Sequence, residues 1–366
     1  MDPLPLAQAL LRCRSVTPAD DGAQDVLAAA LEQIGFTVTR LKFGNIENLF
    51  AERGTSGPHF CFAGHTDVVP PGNAGWVTNP FGGEVDNDLL FGRGAVDMKG
   101  AIAAFAAAAA TPCNGRLSLL ITGDEEGEAV NGTAKVLAWM AEEKKIPDFC
   151  VVGEPTSRAV LGDTVKIGRR GSLSARITVT GRQGHAAYPQ LADNPVHKLV
   201  PALNALLAKV LDTGTAFFEP SSLQITSVDV GNPATNVIPG AATAKLNIRF
   251  NDLHSEASLT DFLTETLAVH APMAEMQVHC AGEAFLTQAG PGTASLIAAV
   301  AAVTGITPAQ NTGGGTSDAR FIARYCPVAE FGLVGATMHQ VDECVPVADL
   351  RRLAEIYRVL IEGFCA

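Results

Sequence analysis

HFCFAGHTD (59–67) is a short apolar run that ends in a glycine and then delivers a histidine and an aspartate. The same grammar returns in LSLLITGDEEG (117–127) and in FCVVGEP (149–155), where the apolar run gives way to glycine and acids. Continuous apolar runs of this length suit strands buried on both faces, the signature of a parallel sheet covered by helices. Helical spacing at 6–11, 25–34, 99–110 and 134–144 supplies those helices. Around Gly171 the pattern changes. Residues 173–180 alternate apolar and polar, followed by a helix over 195–211, strands near 223–230 and 242–250, a helix over 255–269 and a strand at 276–280. That order, β-α-β-β-α-β, is the ferredoxin-like one. From 291 the first pattern resumes, with a helix over 294–303, a strand over 328–334 and a helix over 347–362. The expected fold class is therefore α/β, a mixed, largely parallel sheet flanked by helices, with an inserted ferredoxin-like α+β domain. The expected boundaries are 1–170 with 284–366 for the first domain and 171–283 for the second.

Composition fits this reading. A chain of 366 residues suggests two domains at roughly 150 residues each. With 47% hydrophobic and 17% charged residues it can build ordinary cores. A formal charge of −12 argues against nucleic acid or an anionic membrane as partner. The eight cysteines include no CxxC pair, which favours free thiols in a reducing, cytoplasmic setting. The opening MDPLPLAQALLRCRS lacks a signal-peptide layout, and the longest apolar stretch, 101–110, is about half of what a bilayer span needs.

The acids and imidazoles gather at one kind of place. His65, Glu125, Glu126 and Glu154 each follow an expected strand, His339 follows the strand VAEFGLV, and Asp97 sits in the Gly-rich turn before the alanine-rich helix. Open α/β sheets bind ligands beyond the carboxyl ends of their strands. Any one of these residues alone reads as a helix cap or a solvated loop. Together, so many charges on one rim call for a cation. Two imidazoles with carboxylates and no paired thiolates suit catalytic zinc. His65, Asp97, Glu126, Glu154 and His339 are too many for one zinc and suit two if one carboxylate bridges. Glu125 is then left as a free carboxylate placed to act as general base. Asp67, two residues past His65, returns to the same side of a strand, so its carboxylate is expected to accept the second imidazole N–H.

GHTDVVP (64–70), GRGAVDMKG (92–100), TGDEEG (122–127), VVGEP (151–155) and MHQVDE (338–343), in this order, resemble the co-catalytic zinc aminoacylase/carboxypeptidase family over nearly the whole chain. The resemblance implies a zinc-exopeptidase-like fold and the hydrolysis of a small N-acyl amino-acid amide. It implies two Zn2+ per subunit, with Co2+ as a substitute: one held by His65, Asp97 and Glu154, the other by Asp97, Glu126 and His339, with Asp97 bridging. Glu125 would be the acid/base. The inserted domain would be a lid that also forms a homodimer, and His185 in GRQGHAAYP (181–189) would reach a partner subunit's site to hold the oxyanion. Arg169, Ser172, Tyr188, Asn236, Arg249, Gly315 and Thr316 would contact substrate. Arginine suits carboxylates because its fork pairs with them in bidentate fashion. Many relatives of the kind it most resembles carry an asparagine four residues before the last ligand histidine, where this chain has Gly335.

The alternatives are another deacylase or a dipeptidase of the same family, or a non-catalytic binding homologue. GxSxG, HExxH and the Walker A pattern are absent, and GRGAVD departs from GxGxxG at its last position.

Overall fold

The computed structural model describes residues 1–73 and 75–365. Along the chain run α1 (Leu4–Arg12), α2 (Ala23–Gln33), β1 (Thr37–Phe43), β2 (Ile46–Arg53), β3 (His59–His65), α3 (Lys99–Ala109), β4 (Arg116–Thr122) and α4 (Thr133–Glu142). Next come β5 (Phe149–Val152), β6 (Thr164–Lys166), β7 (Gly171–Thr180), α5 (Val196–Ala208), β8 (Ser222–Asp229), β9 (Ala241–Phe250), α6 (Glu256–His270) and β10 (Glu275–Gly282). The last are α7 (Pro291–Thr304), β11 (Ala309–Asn311), β12 (Val328–Glu330) and α8 (Val347–Phe364). Two compact units emerge. One comprises residues 1–168, 287–311 and 317–366, the other 169–286 and 312–316.

The first unit holds an eight-stranded sheet in the order β1-β2-β4-β3-β5-β12-β6-β11. Its centre is parallel: β3 pairs with β4 and β5, and β5 with β12. Every residue of β3 and of β5 is buried, as their unbroken apolar runs require. Helix α3 is buried along its whole length, and its alanines let α1 and α8 come close. Phe62 of β3 stacks on Phe105 of α3 with ring centroids 4.4 Å apart, and the Tyr357 hydroxyl of α8 donates to the Phe331 carbonyl at 2.6 Å.

Several elements differ from expectation, among them β6 and β11 of this sheet, which the sequence pattern did not suggest. The antiparallel hairpin β1–β2 extends the sheet at one end, where the sequence pattern suggested no strand. The expected strand 328–334 stops at Glu330, although the Phe331 N–H still donates to the Val152 carbonyl at 3.0 Å.

The second unit is a four-stranded antiparallel sheet, β8-β9-β7-β10, crossed by α5 and α6. Its strand order is that of a ferredoxin-like module. Alternate residues of β7 and β9 (Leu173, Ile177, Leu246 and Ile248 among them) point into one core with Leu259 and Leu263 of α6. Ser255 caps α6 by accepting the Ser258 N–H at 3.1 Å.

Candidate metal centre

Parallel pairing brings the strand ends to one edge. His65 is in register with Thr122, and Ala63 with Val152, so the segments carrying Glu125, Glu126 and Glu154 leave the sheet beside His65. Asp97 arrives from a different direction, ahead of α3. Its neighbour Met98 packs against Gly64 and Gly153, where a Cβ would lie 2.6 and 2.7 Å from the Met98 methyl. Those two glycines at the ends of β3 and β5 therefore leave the room that seats the Asp97 turn.

Side chains converge at the edge. His65 Nε2 lies 3.3 Å from Asp97 Oδ1, 3.8 Å from Glu154 Oε1 and 3.9 Å from Glu125 Oε2. His339 Nε2 lies 2.8 Å from Glu126 Oε1 and 3.2 Å from Asp97 Oδ2. His65, Asp97 and Glu126 form one group of candidate ligand atoms within 4.8 Å of each other, and His65, Glu125 and Glu154 form a second. Asp97 thus turns one carboxylate oxygen toward each imidazole. His339 reaches the cluster from a left-handed backbone conformation, φ 61°, which histidine tolerates better than most side chains.

Electrostatics describe a cation-seeking pocket. Burial opposes charge on His65, yet its contact with Asp97 and the charges of Glu125 and Asp67 hold its pKa well above the ordinary value. Contacts to Asp97 and then Glu126 raise His339 to about 10. Burial and the neighbouring Glu154 charge push Glu125 well up. Burial would raise Asp97, but His339 and His65 pull it below the usual carboxylate range. His65 Nε2 and Asp97 Oδ1 are buried without a hydrogen-bond partner. Two orphaned ligand atoms among crowded carboxylates are what a divalent ion would satisfy. The residues fit a pair of such ions.

Asp67 takes a different role from the expected one. Its carboxylate stands 3.7 Å from His65 Nδ1, too far for a hydrogen bond, and Nδ1 instead meets the Asp67 backbone carbonyl at 2.8 Å. The carboxylate accepts the Glu125 and Glu126 N–H groups at 3.3 and 3.0 Å. Both halves of Asp67 thus orient the cluster, because its backbone directs the imidazole while its side chain holds the two-glutamate turn. Burial raises its pKa to about 6.

A profile of the peptidase family M20/M25/M40 matches residues 61–363. The chain belongs to this family. A succinyl-diaminopimelate desuccinylase of Acidiphilium cryptum is 64% identical over 364 residues, covering 99% of this chain and 98% of the relative. The crystal structure of an aminopeptidase PepT from Bacillus cereus superposes with a TM-score of 0.81 at 18% identity, covering 100% of this chain and 98% of that one. A dinuclear metal-binding M20 peptidase of Bacillus subtilis gives 0.72 at 14% identity, with 98% of each chain covered. These structures share the M20 architecture, an α/β catalytic body with a separate β-sheet subdomain. The His/Asp/Glu cluster is a dinuclear metal-binding arrangement.

The other named residues lie in the second unit, in two places. Arg169 is buried and donates to the Gly315 carbonyl at 2.9 Å, and Thr316 follows directly. Ser172, also buried, faces Arg249 across the β7–β9 ladder. Burial and the nearby Arg170 charge lower the Arg249 pKa. Separately, His185 and Val237 pair in a short exposed ribbon beside Asn236, whose carbonyl accepts the Ala186 N–H at 2.8 Å. The exposed Tyr188 ring stands 5.7 Å from that of His185.

Sequence reasoning missed Arg93 and Glu343. Glu343, fully buried, accepts Val96 N–H (2.8 Å) and Asp97 N–H (3.1 Å) on Oε1, and Arg93 Nη1 (2.8 Å) and Gly94 N–H (3.1 Å) on Oε2. Arg93 also donates to the backbone carbonyls of Gln340 and His339. One buried ion pair therefore ties the Asp97 turn to the His339 turn. Both residues sit inside the quoted motifs, GRGAVDMKG and MHQVDE, so the signal was present.

Proposed function

We propose that the chain hydrolyses N-succinyl-L,L-2,6-diaminopimelate to succinate and L,L-2,6-diaminopimelate, as a di-zinc amidohydrolase of lysine and diaminopimelate biosynthesis. The observation that carries the chemistry is Asp97, with Oδ1 3.3 Å from one imidazole and Oδ2 3.2 Å from the other, the posture of a bridging ligand. The acyl group follows the name of the relative that is 64% identical across 99% of this chain. His65, Asp97 and Glu154 would hold one Zn2+ and Asp97, Glu126 and His339 the other. Bound zinc supplies Lewis acidity and a water that deprotonates near neutral pH.

The chain's own groups do the rest. Glu125, pushed up by burial and by Glu154, is a carboxylate ready to take a proton from the attacking water as the new C–O bond forms. It returns that proton to the amide nitrogen as the C–N bond breaks, leaving a carboxylate and an amine. Asp67 keeps the Glu125 turn in place through the two N–H groups it accepts. His185 donates to the developing oxyanion. Arg169 and Arg249 pair with substrate carboxylates, while Ser172, Tyr188, Asn236, Gly315 and Thr316 fix the remainder.

The reading places the protein in the cytoplasm as a homodimer formed through the second unit. None of the eight cysteines is paired in a disulfide, which fits a reducing compartment. Val200 and Leu207 of α5 and Val228 of β8 are exposed, an apolar surface suited to a second copy. Among the described residues no helix is long and apolar enough to cross a membrane. Gly335 favours a second reading, a related deacylase or dipeptidase, because a side-chain contact from that position is missing.

The test is metal analysis of the purified protein with a panel of N-succinyl, N-acetyl and dipeptide substrates. N-succinyl-diaminopimelate should be preferred, and a chelator, not a thiol alkylator, should abolish turnover. Glu125→Gln should keep its metal and lose roughly 10² to 10⁴-fold in kcat. Retention of more than about a tenth of wild-type kcat would remove Glu125 from the role.

A further inference from the structure

The sheet of the second unit has one face in the core under α5 and α6 and one face open. On the open face, β7 presents Ser172, Ser174 and Arg176, and β9 presents Arg249, Asn247 and Lys245, paired rung by rung in that order. Arg176 and Lys245 are therefore direct cross-strand neighbours of like charge, an arrangement that destabilises a sheet unless something anionic meets it. Both are exposed, and among the described residues no ion pair engages either. With Gln277 and His279 of β10 and Thr226 of β8 they line a recess of about 620 Å³. In a chain of net charge −12, two neighbouring exposed cations with no ion pair of their own, beside the side chains of Thr226, Gln277 and His279, suit an anionic ligand.

The rungs are graded. Beyond the Arg176–Lys245 rung lie Glu275, opposite Thr178, and Asp229, opposite Thr243. On the other side lies the neutral Ser174–Asn247 rung, then Ser172–Arg249. An anion on this face is repelled at one end and drawn toward Arg249 at the other. Successive rungs on one face are about 7 Å apart. That is within the Debye length of about 8 Å at physiological salt, so each rung is felt from the next.

We propose that Arg176 and Lys245 form a cationic track that collects a polycarboxylate N-acyl amino acid from solution and passes it along the sheet to Ser172 and Arg249. The inference rests on the proposed function, which supplies a substrate with several carboxylates. The experiment measures kcat and KM on N-succinyl-diaminopimelate for wild type, Arg176→Gln/Lys245→Gln and Arg176→Glu/Lys245→Glu, at ionic strengths from about 10 mM to about 0.5 M. At low salt the charge-reversed protein should lose about tenfold in kcat/KM with kcat unchanged, and the glutamine pair should fall between. The three curves should converge at high salt. Equal kcat/KM at every ionic strength would overturn the track, as would a loss that persists at high salt or accompanies a changed oligomeric state or melting temperature. Wild-type protein that leaves every N-succinyl substrate intact would instead refute the proposed function, and the track with it.

Discussion

Glu343 is fully buried, and each of its oxygens accepts two donors, so no lone pair faces water. Its partner Arg93 is equally buried and holds the turn that carries His339. Glu343→Gln would turn an NH₂ group toward N–H donors and strand the guanidinium. Removing one partner of a buried pair costs about 3 to 5 kcal/mol. The variant should unfold at lower denaturant and surrender metal to a chelator several-fold faster, because Asp97 and His339 lose their common anchor. Unchanged chelator kinetics in a folded Glu343→Gln protein would reduce the pair to a structural role. The cluster itself was legible from sequence because His65, Asp97, Glu125, Glu126, Glu154 and His339 each follow a strand-like run or a glycine turn. Arg93 and Glu343 were not, because a charged residue in a Gly-rich turn reads as solvated. Nothing local announces that two such turns, 250 residues apart, bury each other's charge. Asp67 shows the same limit: its spacing placed it near His65, but the rotation of its carboxylate toward the Glu125 turn is a tertiary fact.

The elements were read best where burial was complete. β3 and β5 have no exposed residue, so their apolar runs could not be mistaken for amphipathic helix or loop. The hairpin Thr37–Phe43 and Ile46–Arg53 escaped notice because it lies at the sheet's end and its first strand mixes Thr, Arg and Lys with apolar residues. The strand expected over 328–334 is shorter because Gly332 departs from the ladder to donate to Thr156 Oγ1 at 3.3 Å. Helix α3 makes a testable case of its own. Its alanines have almost no accessible surface and lie between β3, α1 and α8. Ala104 is fully buried, so extra methylenes must displace its neighbours, and Ala104→Leu should lower stability by roughly 1 to 3 kcal/mol. The midpoint of a urea titration measures it, and a shift under about 0.5 kcal/mol would mean that the packing yields.

At the scale of the molecule, the residues proposed for catalysis and for holding substrate fall in two units of the chain. The metal-ligand cluster belongs to residues 1–168, 287–311 and 317–366, whereas His185 belongs to the 169–286 unit. His185 is exposed on its ribbon, its Nδ1 accepting the Ala187 N–H at 3.0 Å, which leaves Nε2 as the donor of the neutral ring. If His185 serves the site of a second copy, each site in a homodimer is built from both subunits. Two inactive variants then become complementary. Glu125→Ala chains lack the acid/base but keep His185, and His185→Ala chains keep the acid/base but lack the oxyanion donor. Mixed after gentle dissociation, they should form heterodimers in which one of the two sites has both groups. With random pairing that restores about a quarter of the wild-type rate. If His185 serves its own chain's site, every site in the mixture lacks one group or the other. Activity would then stay at the level of the parent variants however long the exchange runs, and the shared-site dimer would fall.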